Sequence, residues 1–395
     1  MTMQEEDISR ARAETPGCAE VIHLNNAGSA LPPTCVTDTV VEHLRAEAAL
    51  GGYEAAERAA ARLDAVYTSI ATMLNVSADD IALVDSATRA WQAIFYALEF
   101  SPGDVILTGH AEYASNAIAL LQVARRTGAR VEVVDDDETG ALDVADLRRR
   151  LHPRVKLISL THVPTQGGLV NPAEEVGRVA REAGVPYLLD ACQSAGQLEL
   201  DVARLGCDAL TATGRKFLRG PRGTGFLYVR PELRERVEPV MLDLHSAEWT
   251  APEEYRVRAD ARRFETWERD VAAVLGLGAA VDYALSWGLP AVERRVTALA
   301  ARLRDELAAL PGVRVHDQGA RRCGIVTFTV DGLPAPRVRE RLLAAGINTS
   351  VSRPGSARFD LPARGIDALV RASVHYYNSE AELDRLVGEV RGMLL

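Results

Sequence analysis

The chain has 395 residues, of which 47% are apolar and 25% are charged, and its formal net charge is −10. These values are typical of a globular protein with about two or three domains, and they exclude disorder over the whole chain. The first 18 residues are polar and charged enough to form a loose arm. An acidic chain without a basic block disfavours sequence-independent binding of nucleic acid and attraction to an anionic membrane, so we expect neither partner.

The five cysteines are scattered along the chain and form neither a CxxC pair nor a zinc spacing. This pattern predicts free thiols in a reducing compartment and no metal site. The N-terminus is charged from residue 5 and lacks the apolar core of a signal peptide. The longest strongly apolar run, residues 271–281, is too short to span a bilayer. We therefore expect a cytoplasmic protein.

Short aliphatic runs alternate with helix-like segments in the middle of the chain. The runs are IALVDS (81–86), VILTG (105–109), VEVVD (131–135), KLISLTHV (156–163), PYLLDA (186–191), ALTATG (209–214) and GFLYVR (225–230). The helix-like segments are 89–98, 115–127, 144–151, 172–183 and 202–205. This alternation predicts an α/β fold with a mainly parallel, doubly wound sheet. Runs such as YLLD lack polar alternation, which is typical of strands covered on both faces.

The pattern changes after about residue 265. Two long helices are predicted at 270–287 and 290–310, because apolar residues recur there at helical spacing. The strands VRVHD, GIVTFTV and ALVRASV follow, with helices at 336–345 and 379–394. We predict an N-terminal arm (1–20), a large domain (21–265), and a linking helix with a smaller C-terminal α/β domain (266–395). Ligands of open α/β sheets bind beyond the carboxyl ends of the strands.

An acidic residue and a lysine follow two successive strands. Asp190 ends the run PYLLDA, and Lys216 comes just after ALTATG, beside Arg215. A neighbouring cation and partial burial activate a lysine amine for imine formation. An imine lysine and a carboxylate facing a pyridinium nitrogen are the two groups that pyridoxal phosphate needs. From the spacing alone, a solvated lysine and a helix-capping aspartate remain open alternatives.

The segments around these two residues carry a family resemblance. DACQSAG (190–196) and CDALTATGRKFLRGPRGTGFLYV (207–229) resemble the signature of class V pyridoxal-phosphate enzymes of fold type I. That family contains aminotransferases, cysteine desulfurases, kynureninases, isopenicillin-N epimerase-like proteins and C–S lyases. HLNNAGSALPP (23–33) and VRASVHYYNSEAELDRLV (370–387) resemble its N-terminal and C-terminal segments, so the resemblance spans roughly residues 21–390. It implies pyridoxal 5′-phosphate as cofactor, a large domain with a doubly wound sheet, and a smaller C-terminal domain.

The resemblance also implies roles around the cofactor ring. Lys216 bonds covalently to the cofactor, Asp190 pairs with its ring nitrogen, and Gln193 bonds its phenolic oxygen. Tyr113 in HAEYASN (110–116) stands where relatives place the residue that stacks on the ring. Arg215 either binds the phosphate or acts on the neighbouring lysine.

Residues on three segments are expected to bind the cofactor phosphate. Ala87 and Thr88 open a helix, whose free N–H groups and dipole attract a phosphate. Thr213 adds a hydroxyl. In FETWERD (264–270), a segment that the partner subunit contributes in relatives, Glu268 occupies the position of a phosphate-binding Thr. Thr266 is the expected substitute.

Substrate binding is assigned to the C-terminal segment. Arg371 matches the arginine that grips the substrate α-carboxylate, and Asn26 is a further expected contact. Thr165 replaces an Asn common in desulfurases and is placed with the cofactor ligands. The loop SVSRPGSARFDLPARGIDALVR (350–371) lacks the nucleophilic cysteine of Suf-type desulfurases. Cys192 and Cys207 are interpreted as small residues of core strands and loops.

The choice of reaction depends on two short motifs. GGYEAAE (51–57) and RKFLRGPRG (215–223) resemble the subgroup containing the C–S lyase of ergothioneine biosynthesis. The resemblance favours C–S β-elimination from an S-substituted cysteine. The alternatives are a class V aminotransferase or epimerase and, in another class, a cofactor-binding scaffold without catalysis; cysteine desulfurase activity is disfavoured. The family resemblance also implies a homodimer in which GGYEAAE and FETWERD approach the other subunit's cofactor.

Overall fold

The N-terminal segment is helical in the computed structural model, which describes residues 3–394. Helix α1 (Glu5–Ala13) has acidic residues in its first turn and arginines in its last, which complements the helix dipole. Ala11 is fully buried and belongs to the apolar core of the C-terminal part. The loose arm expected from composition is therefore wrong for this helix, because its polar residues cover only its outer face. Residues 1–2 and 395 of the predicted divisions lie outside the described residues.

A short strand and three helices precede the central sheet. They are β1 (Ile22–His23), α2 (Thr34–Leu50), α3 (Gly52–Arg58) and α4 (Ala60–Leu74). The strands and helices of the next part are β2 (Ile81–Val84), α5 (Ala87–Phe95), β3 (Val105–Gly109), α6 (Ala114–Thr127), β4 (Arg130–Val134), α7 (Val144–Arg150), β5 (Val155–Thr161), α8 (Ala173–Ala183), β6 (Tyr187–Asp190), α9 (Val202–Leu205), β7 (Ala209–Thr213), β8 (Gly225–Val229) and α10 (Pro231–Arg236). Short 3-10 turns lie at Pro16–Ala19, Ala78–Asp80, Ala261–Phe264 and Pro354–Ser356.

The central sheet has the strand order β2-β8-β7-β6-β5-β3-β4. Its neighbouring strands are parallel except at β8, which is antiparallel to both β2 and β7. Each of the seven aliphatic runs forms one of these strands, and apolar clusters cover both faces of the sheet. The mainly parallel, doubly wound α/β prediction is confirmed. Because β6 and β7 are parallel neighbours, Asp190 at the carboxyl end of β6 lies beside Thr211 of β7.

The segment after the sheet begins with a hairpin that the sequence did not indicate. Its strands are β9 (Ala247–Ala251) and β10 (Glu254–Val257), and most of their residues are exposed. Helices α11 (Val271–Trp287) and α12 (Leu289–Ala308) follow. Among the described residues, no single helix meets the length and apolarity needed to cross a membrane; α11 and α12 meet the criterion only as a pair, bent by 80°.

The C-terminal part has a four-stranded antiparallel sheet with the order β11-β12-β15-β14. Its elements are β11 (Val313–Val315), β12 (Ile325–Val330), α13 (Ala335–Ala344), β13 (Ile347–Asn348), β14 (Ser350–Ser352), β15 (Leu369–Ser373) and α14 (Glu380–Gly392). Strand β1 pairs in parallel with β13, and Asn25 forms a bridge with Ser373. These pairings bring the N-terminal HLNN segment to the carboxyl end of β15, beside Arg371.

Candidate active site

Asp190 is the last residue of β6 and is buried. Its Oδ1 accepts a hydrogen bond from the Cys192 N–H at 2.9 Å, and its Oδ2 accepts one from the Asn116 side-chain amide at 2.9 Å. Burial raises the pKa of Asp190, while these two hydrogen bonds and the positive charge of Lys216 oppose the rise. The carboxylate is therefore held in one orientation near the lysine.

Lys216 lies on the loop between β7 and β8 and is 6% exposed. No described carboxylate forms an ion pair with its amine, and its Nζ lies 5.9 Å from the centroid of the Tyr113 ring. The DACQSAG loop packs directly on this lysine loop at Gly196, which has a φ of +92°. A Cβ on Gly196 would lie 2.4 Å from the carbonyl carbon and oxygen of Phe217. Only glycine permits this approach of the two loops.

Cys192 is a site residue that the sequence reasoning misjudged. Cys192 is partly exposed and its N–H donates to Asp190 Oδ1, whereas Cys207 is fully buried as expected of a core residue. Burial raises the pKa of the Cys192 thiol, and the charge of Lys216 opposes this effect. The position of Cys192 two residues after a strand-ending aspartate was the available signal.

Thr165 connects the two sides of the site. Its Oγ1 accepts hydrogen bonds from Gln193 Nε2 at 3.1 Å and from Arg371 Nη1 at 2.8 Å. Arg371 also donates to the Thr165 carbonyl at 2.9 Å and to Asn25 Oδ1 at 3.1 Å. Two buried atoms of the same side chains, Gln193 Oε1 and Arg371 Nε, have no hydrogen-bond partner among residues 3–394.

Asn26 is not part of this cluster. It is fully buried, donates to the carbonyls of Ser373 and His23, and accepts from the Tyr377 hydroxyl. Its polar atoms join the N-terminal segment to the end of β15, so the substrate contact at Asn26 stays a prediction that these hydrogen bonds do not support. The adjacent Asn25 contacts Arg371 instead, and the NN pair in the sequence could not tell the two apart.

The substrate side of the site is cationic. Arg371 is 7% exposed, and burial together with the charge of Arg215 lowers its pKa to about 10, so it stays protonated at neutral pH. Arg215 donates to the carbonyl of Gly28. Neither guanidinium forms an ion pair with any carboxylate among residues 3–394. Two such cations, one of them buried, attract a carboxylate ligand and favour its bidentate binding.

The predicted phosphate ligands meet at the start of α5. Ala87 and Thr88 form the first turn of this helix. The Ala87 N–H lies close to Gly225, where a Cβ would be 3.0 Å from the Ala87 nitrogen. Gly225 pairs with Thr213, whose hydroxyl donates to the Thr224 carbonyl at 3.0 Å. The helix start and Thr213 therefore lie at the same end of the β7–β8 pair as the lysine loop.

Within a single chain, Thr266 is not placed with the other predicted phosphate ligands. It is exposed, and its hydroxyl donates to the Glu268 carbonyl at 3.2 Å. Both residues line a surface cavity of about 610 Å³ that also includes Asp85 and Arg89. The assignment of Thr266 as a phosphate ligand requires a second subunit and stays a prediction.

Tyr113 is half-buried and precedes α6 as its N-cap residue. Its backbone N–H donates to Glu112 Oε1 at 2.7 Å. Glu112 and Asn116 were missed as site residues, although their four-residue spacing places them one helical turn apart. Both are buried next to Asp190.

The assembled residues fit pyridoxal phosphate. They comprise a buried amine without an ion pair, a buried carboxylate on the neighbouring strand end, an aromatic ring facing the amine, and a helix N-terminus. The unpartnered polar atoms of Gln193 and Arg371 mark positions where a ligand's oxygen or hydroxyl groups complete the hydrogen bonding. The protein groups that this cofactor requires are thus all present in one place.

Comparison with known proteins gives the same result. The family model for aminotransferase class-V matches residues 22–386. The chain belongs to the class-V aminotransferase family. Over 373 residues it is 31% identical to a probable cysteine desulfurase of Xylella fastidiosa, and the alignment covers 93% of this chain and 89% of that relative. Pyridoxal phosphate is the cofactor, and the enzyme acts on amino acids.

Two solved structures are similar over nearly the whole chain. The apo cysteine desulfurase from Thermococcus onnurineus NA1 has a TM-score of 0.91 and 26% identity, covering 100% of this chain and 99% of that one. The cysteine desulfurase CsdA of Escherichia coli has a TM-score of 0.90 and 25% identity, covering 98% of each chain. Fold type I, as expected from the sequence resemblance, is confirmed.

Proposed function

We propose that this class-V enzyme is a C–S β-lyase that eliminates the sulfur substituent from an S-substituted cysteine. The observation that carries the proposal is the loop before Arg371, residues 353–368. It contains no cysteine, so it offers no thiolate to attack a substrate sulfur. Elimination needs no protein nucleophile, because the C–S bond breaks by loss of the leaving group from Cβ.

Contacts with the rest of the chain hold this loop in place. Asp360 is buried and accepts hydrogen bonds from Gln166 Nε2 at 3.0 Å and from Arg364 at 3.2 Å. Arg364 also donates to the His316 carbonyl at 2.6 Å. Three buried apolar residues of the loop pack with the first residue of β15 in one cluster, which consists of Ala357, Leu361, Ile366 and Leu369. Because Gln166 follows Thr165, the loop is anchored next to the residue that joins Gln193 and Arg371.

The chain's similarity to cysteine desulfurases supports a second candidate function. In that case Cys192 is the candidate nucleophile, because it is the one thiol among the described residues on whose pKa the charge of Lys216 acts. The thiolate, not the thiol, is nucleophilic, and burial raises the pKa of Cys192 and so disfavours the thiolate. This opposes sulfur transfer to Cys192 and favours elimination.

Each step of the elimination has a residue to perform it. Arg371 binds the substrate α-carboxylate and orients the Cα–H bond toward Lys216. Bound pyridoxal phosphate supplies an electron sink for the negative charge that develops at Cα. Lys216 Nζ takes the Cα proton, the Cβ–S electron pair leaves with sulfur, and the same amine returns the proton to the departing thiolate. Asp190 holds a proton on the ring nitrogen throughout.

We also infer that two copies of this chain form a dimer through the face that carries the cavity of about 610 Å³. Two large apolar side chains that line this cavity, Val240 and Met241, are each 65% exposed. An exposed apolar patch of this kind on a folded protein is typical of a protein interface. Thr266 lies at its edge, where a second copy would bring it toward the other copy's α5. The inference is contradicted if solution scattering shows a monomer and the same sample has full turnover.

The deciding experiment measures pyruvate and ammonia released from an S-substituted cysteine by the holoenzyme without any keto acid. Many equivalents per site are expected, because a lyase regenerates its starting state in every cycle. One equivalent or less of oxo product indicates transamination. Alanine and sulfane sulfur formed from unsubstituted cysteine, in a parallel reaction, indicate desulfurase activity. Lys216→Ala is expected to abolish turnover while keeping the fold, and Cys192→Ser is expected to retain it. Loss of activity in Cys192→Ser moves the desulfurase candidate to first place.

A further inference from the structure

A second buried carboxylate lies behind Asp190. Glu112 is 3% exposed and forms no ion pair with a basic residue among residues 3–394. Its two oxygens instead accept hydrogen bonds from five donors. These are Thr108 Oγ1 (2.8 Å), Ser159 Oγ (3.2 Å), Thr161 Oγ1 (2.5 Å), the Tyr113 N–H (2.7 Å) and Asn116 Nδ2 (3.0 Å). The donors come from β3, β5 and the start of α6, so three elements fix this side chain.

The Asn116 amide joins the two carboxylates. Its Nδ2 donates to Glu112 Oε1 at 3.0 Å and to Asp190 Oδ2 at 2.9 Å. A side-chain amide nitrogen has two N–H donors, so this bridge uses both of them. The amide cannot turn over without presenting its oxygen to a carboxylate. Glu112 thereby fixes the orientation of the group that orients Asp190.

Two neighbouring buried carboxylates are costly to the fold. Burial raises the pKa of Glu112, and the charge of Asp190 raises it further, against hydrogen bonds from Thr161, Thr108 and Asn116 that lower it. A neutral side chain of similar volume would fill the same space at lower cost. The arrangement is explained if its negative charge serves the cofactor that Asp190 binds.

We propose that Glu112 is a positioning residue for Asp190: through Asn116 it fixes that carboxylate, and it adds a second negative charge behind the cofactor's ring nitrogen. A more negative environment keeps that nitrogen protonated and the electron sink strong. The other titratable groups around this pair are Lys216, whose charge lowers the pKa of Asp190, and Cys192, whose backbone N–H donates to Asp190. The inference rests on the proposed role of Asp190 but not on which reaction follows.

The test uses holoenzyme prepared with cofactor labelled at the ring nitrogen, whose NMR resonance reports protonation of that atom across pH. Glu112→Gln is expected to lower the pH at which the ring nitrogen loses its proton by about one unit, the order of effect of one nearby charge. Asn116→Ser, which breaks the bridge, is expected to shift it in the same direction. The control Ser159→Ala removes one donor to the far oxygen of Glu112 and is expected to leave the midpoint unchanged.

Several results overturn the inference. An unchanged midpoint in Glu112→Gln, with a lower unfolding temperature of the apoprotein, shows a purely structural role. An unchanged midpoint in Asn116→Ser shows that Glu112 does not act on Asp190 through the Asn116 amide. This variant also keeps the test decisive if Glu112→Gln does not fold. If Asp190→Asn leaves the ring nitrogen protonated, the pairing with Asp190 is wrong and the inference falls with it. A failed pyruvate assay leaves these spectra unaffected, so the two proposals fail separately.

Discussion

The close contact between the DACQSAG loop and the lysine loop makes Gly196→Ala the sharpest test of the site's construction. An added Cβ would lie 2.4 Å from the Phe217 carbonyl carbon and oxygen and 2.5 Å from the Leu218 nitrogen. These are backbone atoms, so a side-chain rotation cannot relieve the collision. The positive φ of +92° costs an alanine about 1–2 kcal/mol, and overpacking adds about 1–3 kcal/mol. We expect a total loss of about 2–5 kcal/mol of unfolding free energy.

The matched control is Gly184→Ala at the end of α8. Gly184 also has a positive φ, +65°, but a Cβ there meets nothing within 4 Å. Urea unfolding of the apoproteins should show the control losing only about 1–2 kcal/mol. Gly196→Ala should in addition lower kcat/KM by about a hundredfold, because a shift of about 1 Å in Lys216 misplaces its amine. Equal unfolding midpoints for the two variants would refute the close-contact argument.

Three further predictions concern buried charges and a buried histidine. Arg371→Lys should lower kcat/KM about tenfold to a hundredfold with unchanged cofactor affinity, because a lysine cannot reproduce the planar hydrogen-bonding geometry; an unchanged value contradicts the carboxylate role. Arg219→Met, at a fully buried guanidinium held by three donated hydrogen bonds, should lower the unfolding free energy by about 3–5 kcal/mol. The exposed Arg222→Met should change it by less than about 0.5 kcal/mol, and equal effects in urea unfolding disprove the argument. Burial lowers the pKa of His162 from 6.5 to about 3. As the pH falls, the imidazole therefore takes up a proton in the unfolded chain before it does so in the folded protein. The stability that neutral His162 provides is therefore complete above pH 6.5 and falls by up to about 1.4 kcal/mol per pH unit toward pH 3. His162→Asn should flatten this pH dependence of unfolding and the exposed His152→Asn should not; the reverse result contradicts the assignment.

The strands of the central sheet follow directly from the sequence. Runs such as VILTG and GFLYV are apolar throughout, and a segment that must bury both faces cannot carry alternating polar residues. Their boundaries agree with the structure to within a few residues. The antiparallel direction of β8 and the exposed hairpin at 247–257 did not follow, because pairing direction and edge packing depend on distant parts of the chain.

Site residues divide in the same way. Lys216 and Asp190 were predicted because Asp190 ends a strand and Lys216 follows the next one, and the carboxyl ends of parallel neighbours meet in space. The choice between Asn25 and Asn26 was decided only by the β1–β13 pairing and the bridge to Ser373, which connect residues separated by more than 300 positions. Cys192, Glu112 and Asn116 also became site residues only in three dimensions.

The sequence by itself determined the fold class, the family and the cofactor, and it predicted Lys216 as the residue that binds the cofactor covalently. Local patterning carries the fold class, because strand formation acts over short stretches, and the resemblance of the motifs to a known family carries the family and the cofactor. Only the tertiary structure decided which buried polar atoms lack partners, which carboxylates share the Asn116 amide, and how the loop before Arg371 is anchored. Those properties depend on distances between side chains that long-range packing sets, and no spacing along the chain encodes them.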